Sequence, residues 1–297
     1  MLKKQTLFGR DPVAYLFLLP WLIGFCTITL IPILSSLYLS FTSYDLMSDV
    51  QWKGLDNFAK MLTDDHRFVQ SLGVTLKYVF IGVPLEIAFA LLLAMALNKG
   101  IAGMSVYRTV YYVPSLFGGS VAIAILWRQV FGNEGVFNRL LGLFGIEGTS
   151  WIGEPSTALY TLIVLKVWQF GSPMIIFLAG LRQIPGEMYE AASIDGAGAF
   201  SRFFRITVPM LTPIIFFNVV MQFISSFQAF TPAFIISNGS GGPIDSTLFY
   251  TLYLYEQGFV NFKMGYASAM AWFLLFMIAS MTALLFLSAK KWVNYDR

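Results

Sequence analysis

Few side chains in this sequence have the means to do covalent chemistry. It holds a single histidine, His66, and a single cysteine, Cys26. One of each leaves no metal-ligand cluster and no nucleophile–histidine pair. His66 sits beside Asp64 and Asp65 in a polar stretch and reads as a solvated loop residue. A loop that cradles nucleotide phosphates needs a glycine followed by lysine and Ser or Thr. Glycine is never followed by lysine here. The polar residues set inside apolar stretches are more informative. Trp168, Gln169 and Ser172 form one such group, and Asn218, Gln222, Ser225, Ser226 and Gln228 another. Gln222, Ser225 and Ser226 are spaced i, i+3 and i+4, which puts them on one helical face. Amides, hydroxyls and an aromatic face suit a polyhydroxylated solute; the same groups also serve as hydrogen-bonding glue between helices. Glu86 and Lys166 are charges within apolar runs. They either touch a solute or pair inside a bundle, and Lys166 has the further option of reaching an interface along its stem.

The elements carrying these groups are membrane helices. The chain has 297 residues, 57% hydrophobic and 12% charged, with mean hydropathy +0.69. Soluble domains carry about 25% charge. Lipid accepts the apolar surface that such a chain cannot cover, and about 20 apolar residues cross a bilayer. Six stretches qualify: 12–44 without a charge, 78–98, 109–127, 158–181, 213–236 and 264–289. The basic start MLKKQTLFGR resembles a signal peptide's n-region, but the run after it is too long for a signal and lacks a small-residue cleavage site. It reads as an uncleaved first span. The expectation is an all-α polytopic protein with six transmembrane helices in one domain, residues 1–297. The net charge of +3 gives no reason to expect nucleic acid.

Lys and Arg favour the cytoplasmic side. With six spans both termini share a side, which then holds Lys3, Lys4, Arg10, Lys99, Arg108, Arg182, Arg202, Arg205, Lys290, Lys291 and Arg297, eleven of the nineteen basic residues. The opposite loops hold most of the acids, including Asp45, Asp64, Asp65, Glu134, Asp245 and Glu256. Both termini are therefore expected in the cytoplasm, and so is the segment of about 182–209. There Pro185 suits a helix start and Glu187 and Glu190 suit a first turn. Gly196 and Gly198 end that helix, and 200–207 forms a second, amphipathic one. A short helix between breakers is a docking element in form, or an interfacial linker.

Within that segment stand Glu190-Ala191-Ala192, then Asp195-Gly196-Ala197, then Ile206 and Pro209. This spacing resembles the EAA motif of ABC importer permeases, with Val208 where the family usually has Leu. FLLPWLIGF at 17–25, Tyr111-Tyr112-Val113-Pro114-Ser115, Asn238-Gly239-Ser240-Gly241-Gly242-Pro243 and GYASAMAWFLLF at 265–276 extend the likeness over nearly the whole chain, toward sugar permeases of the maltose type. The resemblance implies a type I importer permease fold, with Glu187, Glu190, Ala191, Ala192, Asp195, Gly196 and Ala197 coupling to an ATP-binding-cassette ATPase dimer that holds the ATP and Mg. It implies no cofactor on this chain, no catalysis by it, a second related permease, and an extracytoplasmic solute-binding protein. It further implies a sugar or oligosaccharide substrate met by Trp168, Gln169, Ser172, Gln222, Ser225, Ser226 and Ala229, in the plasma (inner) membrane of a prokaryote. The competing class is a secondary transporter for a small polar solute. That reading wants an intramembrane carboxylate relay and usually internal repeats. Glu86 alone is a weak relay, and the EAA motif has no place in it.

Overall fold

A computed structural model describes residues 12–98 and 103–294. Lys3, Lys4, Arg10, Lys99 and Arg297, all used in the topology reading, lie outside the described residues. The described chain is helical; its one extended pairing is an isolated bridge between Thr42 and Trp52. Four single helices are long and apolar enough to cross a membrane: α1 (Leu16–Ser40), α3 (His66–Leu97), α10 (Ala199–Phe227) and α13 (Met264–Trp292). Two bent pairs, each counted as one span, bring the candidate crossings to six. In the first, α4 (Met104–Leu116) turns by 96° into the following helical stretch, of which α5 is Val121–Phe131. In the second, α7 (Ala158–Trp168) meets α8 (Gly171–Leu181) at 41°. Shorter helices are α2 (Asp56–Thr63), α6 (Val136–Leu143), α9 (Gly186–Ile194), α11 (Thr231–Ile236) and α12 (Tyr250–Tyr255).

Helix α3 is the centre of the bundle and packs against α7, α8, α10 and α12. Its buried face carries Val79, Val83, Ala90 and Ala94 among others. Its start is set by Asp65, whose carboxylate accepts from the Phe68 amide at 2.9 Å. The apolar run predicts a span beginning at Tyr78, yet the helix begins twelve residues earlier. Hydropathy marks where lipid is, and the cap marks where the helix is. At 1.5 Å per residue α3 is about 48 Å long, so its first turns stand clear of the roughly 30 Å of hydrocarbon. His66 is therefore the exposed first residue of a helix rather than a loop residue. Helix α1 is peripheral, with Phe17, Trp21 and Ile28 exposed, and its second half packs along α13.

Two further spans differ from the sequence expectation. The stretch 109–127 is not one straight helix. Pro114, Gly118-Gly119 and Ser120 break it, with Ser120 capping the next helix through the Ala122 amide at 3.2 Å. The fifth span begins at Ala199, not Pro213. The amphipathic helix expected at 200–207 runs through a π-helical turn, Phe203–Thr207, directly into the membrane helix, with Pro209 at its entry. That span then stops at Phe227, and α11 is separate.

Polar contacts tie the loops together at each end of the bundle. At one end Arg67 pairs with Asp245 at 2.9 Å and with Glu256 at 2.6 Å, tying the start of α3 to the segments before and after α12. Beside it Asp65 accepts from Tyr253 (2.7 Å) and Tyr266 (2.6 Å). Burial pushes this carboxyl up, but those two hydroxyls and the Phe68 amide outweigh burial and hold it below the usual carboxylate range. Arg128 joins the same end through Asn238. At the other end Arg108 donates to the Leu97 carbonyl (2.7 Å), and the Asn294 amide donates to Thr212 Oγ1 (3.0 Å).

Candidate functional site: a polar cavity and an exposed short helix

Three spans lose their helical hydrogen bonding at the same place. Helix α4 stops before Gly118 and Gly119, α7 stops at Trp168 just before Gln169, and α10 stops at Phe227 just before Gln228. All three breaks open onto one cavity of about 590 Å³. Irregular backbone at membrane depth is tolerated where it lines such a cavity, because freed carbonyls and amides find partners or water there. The Gly118 carbonyl illustrates this: Gln169 Nε2 donates to it at 2.8 Å. A Cβ on Gly118 would lie 3.1 Å from Gln169 Oε1, so a side chain there would oblige Gln169 to give by a few tenths of an ångström.

Of the residues singled out from the sequence, Gln169, Ser172, Gln222, Ser225, Ser226 and Ala229 line this cavity together. Gln222, Ser225 and Ser226 share the face that their spacing predicts. Trp168 is turned elsewhere. Its ring is tilted against that of Trp127, with centroids 5.8 Å apart, and lines a second, mainly apolar cavity of about 560 Å³ with Phe89, Tyr111 and Phe170. Asn218 is buried away from the polar cavity and donates to the Ile214 carbonyl at 3.0 Å.

Glu86 and Lys166 resolve both halves of their alternative. They pair with each other, Nζ to Oε2 at 2.8 Å, and they also line the cavity. Lys166 Nζ reaches Gln222 Oε1 at 3.3 Å as well. Helices α3, α7 and α10 are thereby joined by one chain of polar contacts. The lysine stem lies over Gly82, where a Cβ would come within 3.0 Å of Lys166 Cδ. Removing one member of such a pair would strand a charge in the bundle. Sequence reasoning missed Tyr78, Ser115, Gly118 and Gly119 as lining residues. The signal for three of them was present in Pro-Ser-Leu-Phe-Gly-Gly-Ser, whose Pro, paired Gly and Ser read as a helix break.

At the end of the molecule away from the Asp65–Arg67 cluster, α9 starts after Pro185 and ends in a two-bond cap. The Ala197 amide donates to the Ala192 carbonyl at 2.8 Å and the Gly196 amide to the Ser193 carbonyl at 3.1 Å. This Schellman arrangement puts Gly196 at φ +76°, a left-handed conformation that costs other residues about 1–2 kcal/mol. Tyr189 OH lies 2.9 Å from Thr207 Oγ1, which fastens α9 to the base of α10. Arg202 adds a bond to Ser193 Oγ at 2.9 Å. Glu187, Glu190, Ala191, Asp195 and Gly196 are exposed, Ala192 and Ala197 half-buried, and Ile194 is 87% exposed. A helix held rigidly on its inner side and bare on its outer side can transmit a push. Among the described residues no three His, Cys, Asp or Glu side chains stand together as metal ligands.

A family model described as "Binding-protein-dependent transport system inner membrane component" matches residues 66–293. The chain is 54% identical over 297 residues to the "Probable ABC transporter permease protein YesP" of Bacillus subtilis (strain 168), covering 99% of this chain and 96% of that one. It is 31% identical to the "Arabinooligosaccharides transport system permease protein AraP" of the same organism, over 93% of this chain and 88% of that one. In fold it resembles a chain of a bacterial alginate ABC transporter solved in complex with an alginate pentasaccharide-bound periplasmic protein. The TM-score is 0.80 at 21% identity, with 95% of each chain covered.

Proposed function

The chain belongs to the binding-protein-dependent transport system inner membrane components, the non-catalytic permease subunits of ABC transporters, and from that membership we propose that it forms one half of a pathway for a sugar or oligosaccharide. The observation that carries the substrate class is the polar cavity at the three helix breaks. Its lining combines serine hydroxyls, glutamine amides and aromatic edges, the groups that meet sugar hydroxyls and C–H faces. Its volume lies within the roughly 300–1,000 Å³ usual for small-ligand sites. The naming of AraP for arabinooligosaccharides supports the same class. Gln169, Ser172, Gln222, Ser225, Ser226 and Ala229 are the proposed solute contacts, with Trp168 acting from the adjoining apolar cavity.

A single six-span chain encloses no large pathway, so a second, related permease completes the other wall. Hydrolysis of ATP with Mg takes place on an ATPase dimer, since this sequence has no phosphate-cradling loop. The segment of about 182–209 is the coupling element within a single permease domain. Glu187, Glu190, Ala191, Ala192, Asp195, Gly196 and Ala197 dock on the ATPase, and the Tyr189–Thr207 contact passes its motion into α10. A solute-binding protein delivers the saccharide at the opposite end, beside the Asp65–Arg67 cluster. The distribution of basic residues supports a reading with both termini in the cytoplasm of a prokaryotic cell and the acidic loops outside.

The test is uptake of a saccharide panel by cells expressing the complete system with its binding protein. Saturable uptake of at least one saccharide, lost without the ATPase, is expected. Uptake of only non-saccharide solutes would overturn the substrate class.

A further inference from the structure

We infer that the corner made by Lys166 and Gln222 receives a carboxylate, so that the solute passing this cavity is an acidic saccharide. The inference rests on the saccharide reading above and sharpens it. Among the described residues, Glu86 and Lys166 are the only charged side chains lining the cavity. A lysine ammonium offers three donors and no acceptor. One points to Glu86 Oε2 at 2.8 Å and one to Gln222 Oε1 at 3.3 Å, and the third is uncommitted among the described residues.

This fixes which way each amide faces. Gln222 must turn its carbonyl oxygen to the ammonium, because a lysine cannot accept. Its two N–H donors are then left for the cavity. Gln169 is the reverse: its Nε2 is spent on the Gly118 carbonyl at 2.8 Å, so its oxygen remains as an acceptor. The cavity therefore has uncommitted donors at the Lys166–Gln222 corner and an uncommitted acceptor at the Gln169 wall. A sugar hydroxyl, which both donates and accepts, could use either. A carboxylate only accepts, and of these two corners only the first suits it, since there a cationic donor stands beside amide donors. Hydrogen bonds from a charged donor to a carboxylate are about twice as strong as neutral ones.

Glu86 has a supporting role in this scheme. Its Oε2 is closed to solvent and faces the ammonium. It is the counter-charge that the ammonium of Lys166 meets inside an apolar bundle, at 2.8 Å. Neutral hydroxyls would be served by the serines and glutamines alone. A buried ion pair is costly to keep at membrane depth, and recognition of an anion gives it a use that a neutral solute does not.

The experiment compares uptake of two labelled series by the complete transporter with its binding protein: neutral hexose di- to pentasaccharides, and the same lengths carrying a terminal uronate. We expect wild type to take up a uronate-bearing member. We expect the double variant Glu86→Gln/Lys166→Met, which removes both charges together, and separately Gln222→Leu, to raise its half-saturating concentration on the order of tenfold or more, with the permease still copurifying with its partners. Uptake confined to the neutral series would overturn the acidic class while leaving the saccharide reading standing. Uptake of neither series would overturn both. Unchanged uronate uptake in assembled variants, or failure of both variants to assemble, would make the Glu86–Lys166–Gln222 chain a structural brace only.

Discussion

At the residue scale, the Glu86–Lys166 pair ties the stability of the bundle to its polar cavity. Both side chains are almost wholly buried, and each is the other's counter-charge at 2.8 Å. Lys166→Met alone leaves the Glu86 carboxylate unpaired and is expected to destabilise by about 3–5 kcal/mol, whereas Glu86→Gln/Lys166→Met together should recover most of that loss. Thermal unfolding of the detergent-purified permease, followed for the two variants side by side, checks the ordering; equal losses would show that the pair is not coupled. Gln222 tests the cavity itself. Gln222→Ala removes a side chain that lines it while the helix around it stays intact. It should raise the half-saturating saccharide concentration about tenfold through the loss of one hydrogen bond to a charged group and one to solute. Normal uptake across the concentration range would remove Gln222 from the path. That Glu86 and Lys166 sat inside apolar runs was plain from the sequence. That they stand on facing helices, over Gly82, was not, because no spacing rule relates two residues eighty positions apart.

At the element scale, what was legible depended on whether the signal was local. The cap of α9 was legible: Pro185 opens the helix and Gly196 closes it, both being constraints on a residue's own backbone. The six crossings were legible as apolar runs. The breaks in α4–α5, α7–α8 and α10–α11 are hidden in the sequence, because hydropathy averages over them. Pro114, Gly118 and Gly119 announced one of these breaks. The stops at Gln169 and Gln228 have no Pro or Gly just before them, and their place in the shared cavity appears only when the helices are packed. The extension of α10 back to Ala199 escaped for a similar reason: a π-helical turn lets an amphipathic surface helix continue into the membrane without a loop. Gly196 yields a prediction on this scale. No heavy atom beyond its neighbours lies within 4 Å of a Cβ there, so a side chain meets backbone strain and no clash. Gly196→Val should cost about 1–2 kcal/mol and misplace α9, whereas Gly196→Asn should be far better tolerated. Transport rates of the two variants at equal expression measure the difference, and equal behaviour would show that the left-handed turn is unimportant.

At the scale of the whole molecule, the polar cavity and α9 are joined through α10: Tyr189 grips its base and Gln222 to Ala229 face the cavity at its other end. Motion delivered to α9 therefore has a rigid path to the cavity. The topology can be checked in a Cys26→Ser background. Cysteine at position 134 should react with an impermeant reagent in intact cells, and cysteine at position 202 only after permeabilisation; reaction at 202 from outside would invert the orientation. The central claim is that an ATPase drives this chain through α9. Glu190 is exposed on that helix, so its charge is not needed for folding. Glu190→Lys turns a docking charge from −1 to +1. Close interfacial charge pairs are worth on the order of 1.5–7 kcal/mol, and about 1.4 kcal/mol is tenfold in affinity. The measurement is copurification of the ATPase with the tagged permease pair, together with hydrolysis stimulated by the loaded binding protein. The wild type should retain the ATPase and respond, and Glu190→Lys should lose both by at least tenfold while the permease pair stays assembled. Wild-type copurification and wild-type stimulation in Glu190→Lys would contradict the account.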